Sequence, residues 1–247
     1  MELRDRVALV TGGGTGLGRA ISHELAGRGA HVAIVYSRSE AEANATAGEL
    51  RARGVRAAAF RGDVADGAAA RRVTREALEH FGRIDVLIND AGTTVFVPFA
   101  DLEGISDDEW DRIMGVNVKG PWLMARAAAE ALRAQRGAIV NVSSIAGLWP
   151  KGSSLPYAVS KAALNHLTTC LAIALAPDVR VNGVAPGLFM TRWNAGFTPE
   201  QIAAMEARTP LHRTVGLEDL ARMVVELACN QSVTGETVVV DAGLVRS

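Results

Sequence analysis

Tyr157 and Lys161 stand four residues apart in the stretch YAVSK, a phenol and an ammonium among small side chains. On a helix, positions i and i+4 share a face, so both groups can address one ligand. Free tyrosine titrates at about pH 10, too high for ready proton exchange at neutrality, but a nearby cation stabilises the phenolate. The pair is therefore expected to work as an acid/base. The competing reading is an ordinary i,i+4 pair on a solvated helix face. Residue usage sharpens the choice, because only Lys119, Lys151 and Lys161 of 26 basic residues are lysine, and Tyr36 is the one other tyrosine. Lysine brings a compact charge with rotatable donors, where arginine brings a flat fork.

Short β-branched runs alternate with alanine-rich helical patterns from end to end, the signature of βαβ units and a parallel sheet. Strands are expected at 6–11, 31–36, 56–61, 84–89, 138–143, 179–184 and 236–241. Ser39 with Glu42, Ser106 with Glu109, and Thr198 with Pro199 and Gln201 mark helix starts, giving helices near 40–53, 107–134 and 199–207. Others are expected over 17–28, 67–81, 154–176 and 217–229. With 247 residues, 49% of them hydrophobic, the chain suits one α/β domain over 1–247: a doubly wound Rossmann-type fold with a mainly parallel seven-stranded sheet flanked by helices. Its ligand crevice should lie beyond the strand C-termini.

A net charge of -1, without long basic runs, argues against nucleic acid or an anionic membrane surface and for a small-molecule partner. Cys170 and Cys229 have no CxxC spacing, and His23, His31, His80, His166 and His212 are scattered. No metal site is expected, and a reduced, cytoplasmic protein is. The start lacks a signal-peptide core, and the longest apolar run, Cys170 to Ala176, is too short to span a bilayer. No G-x-S-x-G elbow supports a serine hydrolase.

The first strand runs into TGGGTGLGRA. Glycines there let backbone bend tightly and approach a pyrophosphate at the start of a helix, although a purely structural turn would look similar. The spacing is T-G-x-x-x-G-x-G, with Thr11, Gly12, Gly16 and Gly18, and the sequence resembles the short-chain dehydrogenase/reductase family. The resemblance continues in the family's order through Asp63-Val64, NDAG (Asn89 to Gly92), Asn117, NVSS (Asn141 to Ser144), YAVSK, PGLFMT (Pro186 to Thr191) and TGETVVVDAG. Two departures are Asp90, where NNAG has its second asparagine, and Ala242, where VDGG has its first glycine.

The resemblance implies that Thr11, Gly12, Gly14, Thr15, Gly16, Leu17 and Gly18 cradle a nicotinamide dinucleotide. Asp63 and Val64 would flank the adenine, Asn89, Ala91 and Gly92 would pass close by, and Pro186, Gly187 and Thr191 would reach the nicotinamide end. Plainer alternatives are a turn residue for Asp63 and a helix cap for Thr191. By the same resemblance Ser144, thirteen residues before Tyr157, orients the substrate oxygen, while Ser143 faces away; Lys161 and Tyr157 touch the nicotinamide ribose, and Asn117 holds a water beside Lys161 or is simply a capping amide. Where an NAD enzyme carries an acidic residue after the second strand, this chain has Tyr36, Ser37 and Arg38, so Ser37 and a forked Arg38 point to NADP(H). Thr15, at a loop position often basic in NADP-using relatives, is the sign for NAD.

The implied reaction is reduction of a ketone to a secondary alcohol, or its reverse, with Tyr157 exchanging the proton. Alternatives are a 3-oxoacyl-carrier-protein or acyl-CoA reductase, disfavoured by Pro177 and Asp178 where a basic docking residue is common, and a non-catalytic nucleotide sensor. A lid is expected at about 188–210, with Met190, Trp193, Phe197 and Met205, facing Leu148, Trp149 and Leu155. The substrate would meet Ser144, Trp149, Tyr157 and Trp193. The family usually forms homotetramers, which is the expected assembly.

Overall fold

The computed structural model describes residues 1–191 and 196–246. Its strands are β1 (Val7–Thr11), β2 (His31–Tyr36), β3 (Ala57–Arg61), β4 (Val86–Asn89), β5 (Ala138–Val142), β6 (Arg180–Pro186) and β7 (Thr237–Val240). They form one seven-stranded sheet in the order β3-β2-β1-β4-β5-β6-β7, and every pairing is parallel. The helices are α1 (Gly16–Gly27), α2 (Glu40–Ala52), α3 (Gly67–Phe81), α4 (Asp107–Met114), α5 (Gly120–Gln135), α6 (Leu155–Leu175), α7 (Pro199–Glu206) and α8 (Leu217–Cys229).

Strand alternation divides the core in two. Ala8 and Val10 of β1 face Ile21 of α1, Leu50 of α2 and Val224 of α8. Val7 and Leu9 face Val73 of α3, Leu132 of α5 and Leu175 of α6. Both faces are thus covered, which is why the strands read as continuous apolar runs. The chain reverses its winding direction between β1 and β4, and this opens a crevice at their carboxyl ends.

Two boundaries differ from expectation. β4 begins at Val86 rather than Ile84; just before it the fully buried Asp85 takes hydrogen bonds from Arg6, Arg83 and the Val7 amide on its carboxylate, while its backbone still pairs with Val7 and Ala138. The expected helix over 107–134 is interrupted by a π-helical turn, Gly115–Lys119, which carries Asn117. Capping boxes form at Ser106–Glu109 and Thr198–Gln201. At α2 Ser39 occupies the N-cap without a side-chain cap bond.

By length and composition α6 could cross a membrane, with a mean hydropathy of 1.3. Here it is a core helix of the sheet, burying Leu164, Ala172 and Leu175 together with Lys161.

Candidate active site

The loop after β1 is shaped by close approaches. Gly12 has φ +72°, the left-handed region that glycine tolerates best. A Cβ on Gly18 would lie 2.3 Å from the Gly12 carbonyl oxygen, so only hydrogen fits there. Ser22 and Thr46 hydroxyls hold the loop carbonyls of Gly13 and Gly14 at 3.0 and 3.1 Å. The loop leads into α1, whose first turn has no acidic residue and whose Thr15 makes no side-chain cap bond. Amide hydrogens and the positive end of a helix thus face the crevice, a fitting cradle for a dinucleotide pyrophosphate.

The crevice is a cleft of about 1290 Å³ that reaches from Ser37 and Arg38 at one end to Trp149 and Tyr157 at the other. Gly12, Gly14, Thr15, Gly16, Leu17, Tyr36, Ser37, Arg38, Asp63 and Val64 line the first half. Ala91, Gly92, Ser144, Trp149, Tyr157, Lys161, Pro186, Gly187 and Thr191 line the second. Four expected residues stand behind the wall. Thr11 Oγ accepts the Asp90 and Ala91 amides at 3.1 Å, fastening β4's exit to β1. Gly18 is packed beneath the loop, and buried Asn89 donates to Asn141 Oδ1 at 2.8 Å. Asn117 is the fourth: its carbonyl accepts the Thr93 amide at 2.8 Å, and its amide donates to the Thr93 carbonyl and Ser160 Oγ at 2.9 and 3.0 Å. These bonds agree with the capping-amide alternative. Asp63 likewise accepts the Ala65 amide at 2.9 Å, as a turn residue does. Trp193 lies outside the described residues.

Tyr157 and Lys161 do share a face of α6, with Lys161 Nζ 5.7 Å from the centre of the Tyr157 ring. The Ser144 hydroxyl, which accepts the Ala146 amide at 3.1 Å, lies near enough to the Tyr157 phenol to pull its pKa down, whereas Ser143 Oγ donates to the Lys161 carbonyl at 3.2 Å. Of the adjacent serines, Ser144 is therefore the one beside the phenol. Lys161 is 5% exposed and donates to the Val142 carbonyl of β5 at 2.8 Å.

One electrostatic expectation is reversed. The Tyr157 pKa is raised above its ordinary value, chiefly by burial, against the lowering effect of Ser144 and with the negative Asp90 adding to the rise. Burial also lowers Lys161 to about 8, partly offset by Asp90. In this state the ammonium is engaged by Val142, and the phenol keeps its proton firmly.

Sequence spacing gave little hint of Asp90's setting. Burial raises its carboxyl from 3.8 to about 7, opposed by Lys161 and by a hydrogen bond from the Gly18 amide. The carboxylate thus sits under the glycine loop and within electrostatic reach of the lysine. At the far end of the cleft Phe96 meets Phe197 edge to face, ring centres 6.3 Å apart. Trp149 lies near both Lys151 and Arg208. Sequence reading had marked Trp149 and Phe197 but missed Phe96 and the two cations, which converge on the site from distant segments.

A parallel doubly wound sheet, a glycine loop opening a helix, and a serine, tyrosine and lysine gathered at the crevice define a nucleotide-dependent oxidoreductase scaffold. Residues 6–202 match the family described as short chain dehydrogenase. The chain is 42% identical over 240 residues to a ketoacyl reductase of the granaticin polyketide synthase of Streptomyces violaceoruber, covering 96% of this chain and 95% of that one. It is 34% identical over 243 residues to the 3-oxoacyl-[acyl-carrier-protein] reductase of Staphylococcus aureus, covering 96% and 97%. A blue fluorescent protein from a metagenomic library, solved in complex with NADPH, superposes with a TM-score of 0.91 at 33% identity, covering 99% of each chain. The chain belongs to the short-chain dehydrogenase/reductase family and is an oxidoreductase of that family.

Proposed function

We propose that the protein is an NADP(H)-dependent carbonyl reductase, working in reverse as a secondary-alcohol dehydrogenase, with Tyr157 as its acid/base. The observation carrying this reading is the Tyr157 phenol, lining one cleft with Ser144, Lys161 and the glycine loop. The loop amides would hold the pyrophosphate, and Ser37 and Arg38, exposed at the rim, a 2'-phosphate. When bound, NADPH supplies the hydride that reduces a carbonyl carbon. Ser144 orients the substrate oxygen by hydrogen bonding, and Tyr157 donates its proton to that oxygen. Lys161 would hold the cofactor ribose through its ammonium and steady the phenolate left behind.

Asn117 fixes the Thr93 backbone against Ser160, next to Lys161, and so holds this corner of the site in register. The lid assignment for 188–210 is supported by the Phe96–Phe197 contact. A cytoplasmic homotetramer completes the reading, supported by Trp110, Trp122 and Ile173, which are exposed on α4, α5 and α6. A 3-oxoacyl thioester reductase remains the second reading, favoured by the names of the two relatives above.

The test is a panel of ketones and alcohols followed by NADPH and NADH absorbance, with Tyr157→Phe alongside. The variant should keep NADPH binding and lose about 10²- to 10⁴-fold in turnover. Near-normal turnover in the variant refutes the assignment.

A further inference from the structure

We infer that the carbonyl substrate of this site is an aromatic anion, its ring held by Phe96, Trp149 and Phe197 and its negative group by Lys151 and Arg208. The inference rests on the carbonyl-reductase reading and names the substrate class for the same cleft. Lys151 Nζ lies 4.3 Å from the centre of the Trp149 ring and Arg208 Cζ lies 5.8 Å from it. The two cations come from unrelated segments, Lys151 from the stretch that follows Ser144 and Arg208 from the turn after α7. Both are exposed, and among the described residues neither is paired with a carboxylate.

Their position relative to the chemistry is close. Gly152, which follows Lys151, lies beside the Tyr157 ring, so that an added Cβ would be in van der Waals contact with Cδ1 at 3.5 Å. Phe96, 57% exposed, and Phe197 stand edge to face in the lining of the same cleft. A flat ring therefore has aromatic surface to lie against. In this half of the lining Arg112, Arg213 and Lys161 join the two cations, and Asp90, Asp111, Glu206 and Asp241 oppose them; Glu206 Oε1 already accepts the Thr214 amide at 3.2 Å, and the Asp241 carboxylate the Gly243 and Val245 amides at 2.9 and 2.7 Å. An aliphatic neutral ketone would leave both cations without a counter-charge. A carboxylate on an aryl ketone would accept the Arg208 fork and sit beside the Lys151 ammonium, where the aromatic walls reduce screening by water.

The experiment compares 4-acetylbenzoate, its methyl ester, 4-oxopentanoate and acetoacetyl-CoA as substrates with NADPH. At low ionic strength 4-acetylbenzoate should exceed its ester about tenfold in kcat/KM, and added salt should shrink that ratio. It should also exceed the aliphatic acid. In the double variant Lys151→Gln/Arg208→Gln the acid-to-ester ratio should fall about tenfold. A native ratio near one, or a ratio unchanged in the variant, overturns the inference. Preference for acetoacetyl-CoA that drops in the variant would move the anion to a carrier phosphate and overturn the aromatic assignment. If no ketone is turned over, the carbonyl-reductase reading fails separately. Calorimetric titration with the non-reducible 4-ethylbenzoate then decides, because binding no tighter than its methyl ester defeats the substrate assignment.

Discussion

Replacing Asp90 by asparagine should stabilise the protein, and by an amount that grows with pH. An asparagine amide oxygen can still lie toward the Gly18 N–H, so the change removes charge while keeping the side chain's shape beneath the loop. The Asp90 carboxyl titrates at 3.8 when unperturbed and at about 7 in the fold. A folded value above the unfolded one means that its stabilising contribution is complete below 3.8 and lost as pH rises through about 7. Native protein therefore bears a cost at pH 8 that the asparagine variant escapes. Linkage over the interval from pH 5 to pH 8 puts the growth of the variant's advantage at about 2 to 3 kcal/mol, an upper figure because cleft water reaches part of Asp90. Without the carboxylate Lys161 also sheds its proton at lower pH, which acts in the same direction. Urea unfolding of the cofactor-free protein, followed by tryptophan fluorescence at pH 5, 6.5 and 8, measures the difference. A native-to-variant gap that stays flat across this range refutes the reasoning.

Other outcomes follow from the same geometry. Because burial and Asp90 hold the Tyr157 proton above its ordinary range, alcohol oxidation should climb with pH through the alkaline range, while ketone reduction falls only once the phenol ionises. An oxidation rate that is flat to alkaline pH would contradict this. Arg38→Ala should raise KM for NADPH about tenfold, the scale of a lost charged hydrogen bond, and leave NADH use unaltered; equal effects on both cofactors would place the 2'-phosphate elsewhere. Gly18→Ala should cost about 1 to 3 kcal/mol of stability and weaken cofactor binding, since its new methyl meets the Gly12 carbonyl. A thermal melt with and without NADPH reports both.

Much of the fold was legible because its signals are local. The β-branched runs gave each strand to within a residue or two, since parallel strands covered on both faces have no polar alternation to confuse them. Tyr157 and Lys161 could be paired by spacing alone because helix geometry fixes which residues share a face. What escaped depended on distant contacts. The buried Asp85 gathers Arg6 and Arg83 at the start of β4, an arrangement that no strand pattern records. The rise in Tyr157's pKa comes from enclosure by the folded chain, while the sequence displayed only the lysine four residues on. Lys151, Arg208, Phe96 and Phe197, far apart in sequence, line one cleft only in the folded chain. GVNVKG contains nothing that forbids a regular helix, so its π turn was invisible.

That turn couples two requirements along one rod. An extra residue in a helical turn advances everything beyond it by about 100°, so the α4 side and the α5 side are phased independently. Asn117 can then look toward Thr93 and Ser160 while Leu123, Met124 and Leu132 remain against the sheet. Excising a single residue between Gly115 and Lys119 would heal the rod, yet it would force a choice between anchoring the chain near the chemistry and sealing the interior.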